Sequence, residues 1–156
     1  MYKREQENKL LDIHFLETQY GSPDYRVSCD LRDELLRKPL GMSLFDQDLE
    51  EEKDFIHLIG KDEDQKLIAY LQFKKIEERT LKMQQVVVAD HAQGKGIGTK
   101  LILFSEQFAV SAGFSSIFLH ARESVIGFYE RLNYVREGER FIEVTIPHFK
   151  ARKKLQ

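Results

Sequence analysis

The chain has 156 residues, 42% hydrophobic and 32% charged, with 24 basic and 26 acidic side chains for a formal net charge of −2. That size fits one domain over residues 1–156, able to bury about two thirds of its unfolded surface in a single core. The charge gives no general attraction to nucleic acid or to an anionic membrane, no apolar run approaches the roughly 20 residues that cross a bilayer, and the opening MYKREQENKLLD has no apolar signal-peptide core. Cys29 is the only cysteine, which excludes an intrachain disulfide and a Cys-based metal site and makes a cytoplasmic location the expectation.

The stretch LLDIHFLE at 10–17 reads as a first strand, and the GSPDY that follows carries turn chemistry. Between Ser28 and Lys38, Leu31, Leu35 and Leu36 recur at helical spacing until Pro39 and Gly41 stop the pattern, which predicts the first helix there. DFIHLIG at 54–60 and KLIAYLQFKKI at 66–76 are rich in β-branched and aromatic residues around the polar KDEDQ, so they predict a hairpin. TLKMQQVVVA at 80–89 extends it to a third antiparallel strand. Ile97, Leu101, Phe104, Phe108 and Ala112 then mark an amphipathic helix closed by Gly113. SSIFLHA at 115–121 reads as a short buried strand. Ser124 is placed to cap a helix through Leu132, with Val125, Phe128 or Tyr129, and Leu132 inward. YVREGERFIEVTIPHFKA finishes as two strands around REGE, and the basic KARKK at 150–154 reads as a solvated tail. The order is α/β, with a central mixed, mostly antiparallel sheet flanked by helices. The strand, helix and strand over 86–121 imply one parallel pair.

The stretch VVVADHAQGKGIGTKL at 86–101 holds three glycines in five positions, directly after a strand and directly before a helix. A P-loop is excluded because Gly94-Lys95 is followed by Gly96 rather than Ser or Thr, and a dinucleotide fingerprint needs G-x-G-x-x-G close to the strand end. The spacing that fits is Gln93-Gly94-Lys95-Gly96-Ile97-Gly98, Q/R-x-x-G-x-G/A between a strand and an amphipathic helix. With it the chain resembles the GNAT superfamily of acyl-CoA-dependent N-acetyltransferases. The resemblance implies a single-domain GNAT-like fold whose parallel strand pair splays around the acyl-CoA site. It further implies acetyl-CoA as cosubstrate, an amine acceptor, and direct transfer without a metal. The loop Gln93, Gly94, Lys95, Gly96, Ile97, Gly98 and Thr99 would hold the pyrophosphate, and the backbone of Val86, Val87 and Val88 the pantetheine arm and thioester oxygen. Elementary physics agrees: unpaired N–H groups and about half a positive charge face outward at a helix N-terminus, and a Cβ at Gly96 or Gly98 would hold phosphate oxygens away.

The resemblance continues through IFLHARESVIGFYERLNYVREG at 117–138, where Tyr129 stands at the position of the tyrosine that protonates the departing CoA thiolate. Two positions depart from the pattern: Asn133 replaces a glycine after the helix, and Arg122 replaces an asparagine seven residues before the tyrosine. The base that many relatives carry on the pantetheine strand is missing too, since Met83, Gln84 and Gln85 stand there. His120 is the candidate base, its ordinary pKa of about 6.5 suiting the task, against a packed strand-end histidine. His148, His91 and a water relay are the other candidates. Two alternatives of another class stand beside the enzyme: an acyl-CoA sensor of the same fold, and an interaction module whose glycines serve only the chain path. The acceptor pocket would come from RKPLGMSLFDQDLEEE and REGERFIEVTIPH, whose residues leave the amine unspecified, and the final strands are where a homodimer would form.

Overall fold

The computed structural model describes residues 12–156, so the strand expected over 10–17 lies partly outside the described residues. The chain divides into two compact units, one running to Phe73 and including Gln85–Ser105, the other Lys74–Gln84 with Glu106–Gln156. Strands β3 (Leu67–Glu77) and β4 (Thr80–Val88) pass through both, in a seven-stranded sheet of order β1-β2-β3-β4-β5-β7-β6.

In the first unit, β1 (His14–Thr18) and β2 (Ile56–Lys61) pair antiparallel from His14↔Lys61 to Thr18↔His57, and β2 pairs antiparallel with β3. The predicted hairpin and third strand are therefore present. The first helix differs from its expected span of Ser28 to Lys38: α1 runs Pro23–Arg32. Ser22 is its N-cap, with Oγ accepting the Tyr25 N–H at 3.1 Å, and Pro23 opens the first turn, where a missing N–H costs no hydrogen bond. The GSPDY segment thus starts a helix instead of making a turn. Beyond Arg32 the chain widens into a π turn, Asp33–Arg37, in which the Lys38 N–H reaches the Asp33 carbonyl. Leu31, Leu35 and Leu36 pack from this region onto Ile59, Leu67, Tyr70 and Val87.

In the second unit β4 runs parallel to β5 (Ser116–Arg122), paired from Thr80↔Ser116 to Met83↔Leu119. Strand β7 (Ile146–Lys154) lies antiparallel between β5 and β6 (Val135–Glu143). The final turn corrects the expectation at REGE. Strand β6 runs through that segment with a register shift between Glu137 and Phe141, where Gly138 has φ +72°, and the chain reverses at Val144-Thr145 with φ +48° and +62°. The only glycine marks a bulge, while two β-branched residues make the left-handed turn that sequence rules reserve for Asn-Gly.

Helix α2 (Ile97–Ser111) closes as predicted at Gly113, φ +92°, with the Phe114 N–H on the Ala109 carbonyl at 2.9 Å and the Gly113 N–H on Val110 at 3.0 Å. Its buried stripe is Ile97, Leu101, Ile102, Ser105 and Ala109, and Ala112, expected inside, is exposed. Helix α3 (Ile126–Arg131) is shorter than expected: Ser124 does not cap it, and Ile126 rather than the exposed Val125 points inward with Tyr129. Asn133 takes φ +73° at its end, so the asparagine holds the left-handed position that glycine usually fills.

Candidate active site

The loop begins where β4 ends, with the Ala89 N–H on the Ile68 carbonyl at 2.8 Å, and passes through a short 3-10 turn, Asp90–Ala92. Gly94 and Gly96 have φ of +74° and +79°, which disfavours any side chain there, and a Cβ at either would meet no atom within 4 Å. The space above these residues is open to an incoming group. The Gly96 carbonyl accepts the Lys100 N–H at 3.1 Å, which starts the helical ladder and leaves the N–H groups of Ile97, Gly98 and Thr99 as its unpaired first turn. Ile97 anchors that turn with its side chain in the core. The Gln93 amide donates to the Val88 carbonyl at 2.9 Å, tying the loop to the strand, and Lys95 is exposed. Below lies a cavity of about 570 Å³, with Leu35, Leu36 and Pro39 on one side and Val86, Val87, Val88 and Gln93 on the other.

Behind this cavity a buried polar network supports β4. Arg32, 1% exposed, makes two bonds to Glu52 at 2.6 and 2.8 Å, and the Tyr25 hydroxyl donates to the same carboxylate at 2.7 Å. Burial alone would raise the Glu52 pKa, but these bonds outweigh it and hold the carboxyl below its ordinary range. His57 donates Nε2–H to the Glu52 carbonyl at 2.8 Å, and burial holds its imidazole below the ordinary value. Arg32 Nε also reaches Gln85 Oε1 at 3.4 Å, where Gln85 breaks the strand pleat with φ +57°. A glutamine forced left-handed just before Val86 needs such an anchor.

Tyr129, in the second unit, is 7% exposed, and burial raises its pKa, so the phenol keeps its proton. Its ring sits edge-on to Phe128 at 5.1 Å and to Tyr134 at 5.7 Å. Among the described residues no group hydrogen-bonds its hydroxyl. Tyr134 differs: its hydroxyl donates to Glu106 at 3.0 Å, and Lys153 binds the same carboxylate at 2.8 Å.

His120 is half-buried on β5, edge-on to Phe118 and Phe141 at 5.3 and 5.0 Å. Its Nδ1 lies 3.2 Å from Glu143 Oε1. A carboxylate can only accept, so Nδ1 carries the proton and Nε2 keeps the free lone pair. Burial lowers the His120 pKa, Glu143 opposes this, and Lys82 and Lys150 add to it. The other oxygen of Glu143 is 3.6 Å from His148 Nε2, while His148 Nδ1 donates to the Ile146 carbonyl at 2.7 Å. His91 is exposed in the loop. Glu143 and the leucines of the π turn escaped the sequence reading. Glu143 meets His120 only through the register of β5, β7 and β6, and a carboxylate 23 positions away carries no local signal.

Among the described residues no three His, Cys, Asp or Glu side chains group as metal ligands, and no helix is long and apolar enough to cross a membrane. A sequence profile of the acetyltransferase (GNAT) family matches residues 14–134. The YyaT protein of Bacillus subtilis is 27% identical over 74 residues, 47% of this chain and 50% of that protein, so the match spans half the length of this curated relative. An acyl-CoA N-acyltransferase from Pseudomonas aeruginosa is similar in structure with a TM-score of 0.78 and 22% identity, over 91% of this chain and 99% of that one. An aminoglycoside 6'-N-acetyltransferase complexed with coenzyme A gives a TM-score of 0.75 and 17% identity, over 90% and 96% of the two chains. At such identities these likenesses establish the shared fold. By the matched residues 14–134, the chain belongs to the acetyltransferase (GNAT) family.

Proposed function

We propose that the protein transfers an acetyl group from acetyl-CoA directly to a primary amine. The observation that carries this reading is the loop at Gly94 and Gly96, left-handed at both glycines, open above, and continuous with the unpaired N–H groups of Ile97, Gly98 and Thr99. Backbone of this kind suits a pyrophosphate, and the apolar cavity beside Val86–Val88 suits a pantetheine arm. A relative of the same fold is complexed with coenzyme A, which supports the assignment.

In the reaction the neutral amine attacks the thioester carbonyl carbon, the C–S bond breaks, and the amine proton passes to His120 Nε2. Tyr129, held protonated by burial, gives its proton to the departing thiolate, so the products are the N-acetyl amine and the CoA thiol. Glu143 keeps His120 in the tautomer that accepts at Nε2. Calorimetry with CoA and thiol release from acetyl-CoA with an amine panel test the reading. Micromolar CoA binding lost in Gly96→Leu, together with amine-dependent release, is expected. Absence of CoA binding would leave a module whose glycines only shape the chain path, and binding without turnover would leave a sensor.

A further inference from the structure

One face of the sheet in the second unit is cationic around His120. Register sets Lys82 across from Phe118, Phe118 across from Arg152, His120 across from Lys150, and Arg122 across from His148. Residues opposite one another, and residues two apart along a strand, project to the same face. On β6 Glu137 stands across from Lys150, Phe141 across from His148, and Glu143 two positions further. Ring contacts agree, with Arg152 over Phe118 at 5.1 Å and Lys150 over Phe141 at 5.6 Å.

Both carboxylates on this face are engaged: Glu137 accepts from Arg152 at 2.7 Å, and Glu143 contacts His120 at 3.2 Å and His148 at 3.6 Å. Among the described residues no carboxylate lies at ion-pair distance from Lys82, Arg122 or Lys150. Three cations without counter-ions thus surround the imidazole. Lys82 is half-buried, and burial, helped by Lys74 and Lys150 and opposed by Glu143, disfavours its charge, so an incoming anion is especially favourable there. The same field repels a polyamine.

We propose that the acceptor is an amino acid type molecule, a primary amine that also carries a carboxylate, with Lys82 and Lys150 holding the carboxylate while the amine faces His120. This rests on the reading of His120 as the base. A salt-bridged carboxylate on two ammonium groups makes charge-assisted bonds, and losing one raises KM roughly 10- to 100-fold.

The experiment measures thiol release from acetyl-CoA with neutral and acidic L-amino acids, their carboxamides, aminoethyl phosphate and spermidine. Binding of the same compounds to the CoA-saturated protein is followed by calorimetry. Amino acids are expected to surpass their carboxamides in kcat/KM and in affinity. Lys82→Met is expected to erase that preference with KM for acetyl-CoA unchanged, and Lys82→Arg to restore most of it. Preference for aminoethyl phosphate would keep the anion site and overturn the carboxylate. Equal use of acid and amide, preference for spermidine, no binding of any amino acid, or a preference unmoved in the Lys82→Met/Lys150→Met double variant would overturn the proposal. His120→Gln separates the two readings: if it leaves turnover intact, the base assignment fails whatever the acceptor preference.

Discussion

Tyr129→Phe removes one oxygen from a buried ring and tests the proton donor without disturbing the fold. The hydroxyl has no partner among the described residues, and the edge-on contacts with Phe128 and Tyr134 survive the change. Stability should therefore stay within roughly 0.5 kcal/mol of the parent, since no hydrogen bond is broken. Tyr134→Phe provides the contrast in the same unit, because it loses a bond to the Glu106 carboxylate, about 1.5 kcal/mol with Lys153 still holding that group. For a chain of this length that is a fall in Tm of about 3 to 6 °C. Catalysis should show the reverse order: Tyr129→Phe lowers kcat by about 10²- to 10⁴-fold with KM for acetyl-CoA little changed, and Tyr134→Phe leaves kcat within a few-fold. Thermal unfolding and steady-state thiol release measure the two quantities. A Tyr129→Phe enzyme with kcat within threefold of the parent would refute the donor role.

Gly96→Ala and Gly21→Ala both force an alanine into positive φ, +79° at each, and each should cost about 1 to 2 kcal/mol. Only Gly96→Ala should weaken CoA binding, on the order of tenfold by calorimetry, because its Cβ enters the space assigned to phosphate oxygens. Arg32→Met strands the buried Glu52 and should cost about 3 to 5 kcal/mol in urea unfolding, with Arg32→Met/Glu52→Gln recovering part of the loss. The His120 pKa is lowered from 6.5, and the neutral imidazole is the base, so kcat/KM should hold near pH 7 and fall as pH drops through that lowered value. Glu143→Gln removes the carboxylate that pulls the pKa upward, so the acidic limb should move to lower pH; a limb that moves upward or stays fixed contradicts the pairing. The same depression means that the folded state resists protonating His57, so stability should decline as pH falls from 6.5 through the lowered value in the folded state.

Strands and their order were readable where side chains repeat locally. The meander over 56–88, the helix ending at Gly113 and the parallel strand after it all followed from periodicity and from glycine at the helix end. Misreadings fall where backbone conformation and local preference part. Val144-Thr145 turn left-handed in spite of their β-branched side chains, because the pairing of β6 with β7 outweighs their local cost. Ser22-Pro23 looked like a turn because proline both breaks helices and begins them, and only the direction of the following chain separates the two uses.

By itself the sequence determined the loop from Val86 to Thr99, since glycine spacing between a strand and a helix dictates bare N–H groups at a helix start. It also marked Tyr129, through a motif of neighbours along the chain. What only the tertiary structure decided is the company these residues keep: Leu35 and Leu36 beside the valines through a π turn, Arg32 reaching Gln85, and Glu143 set between His120 and His148. Such contacts join positions tens of residues apart. They depend on strand register and helix widening, which are settled by how the core packs and leave no periodic trace in the order of residues.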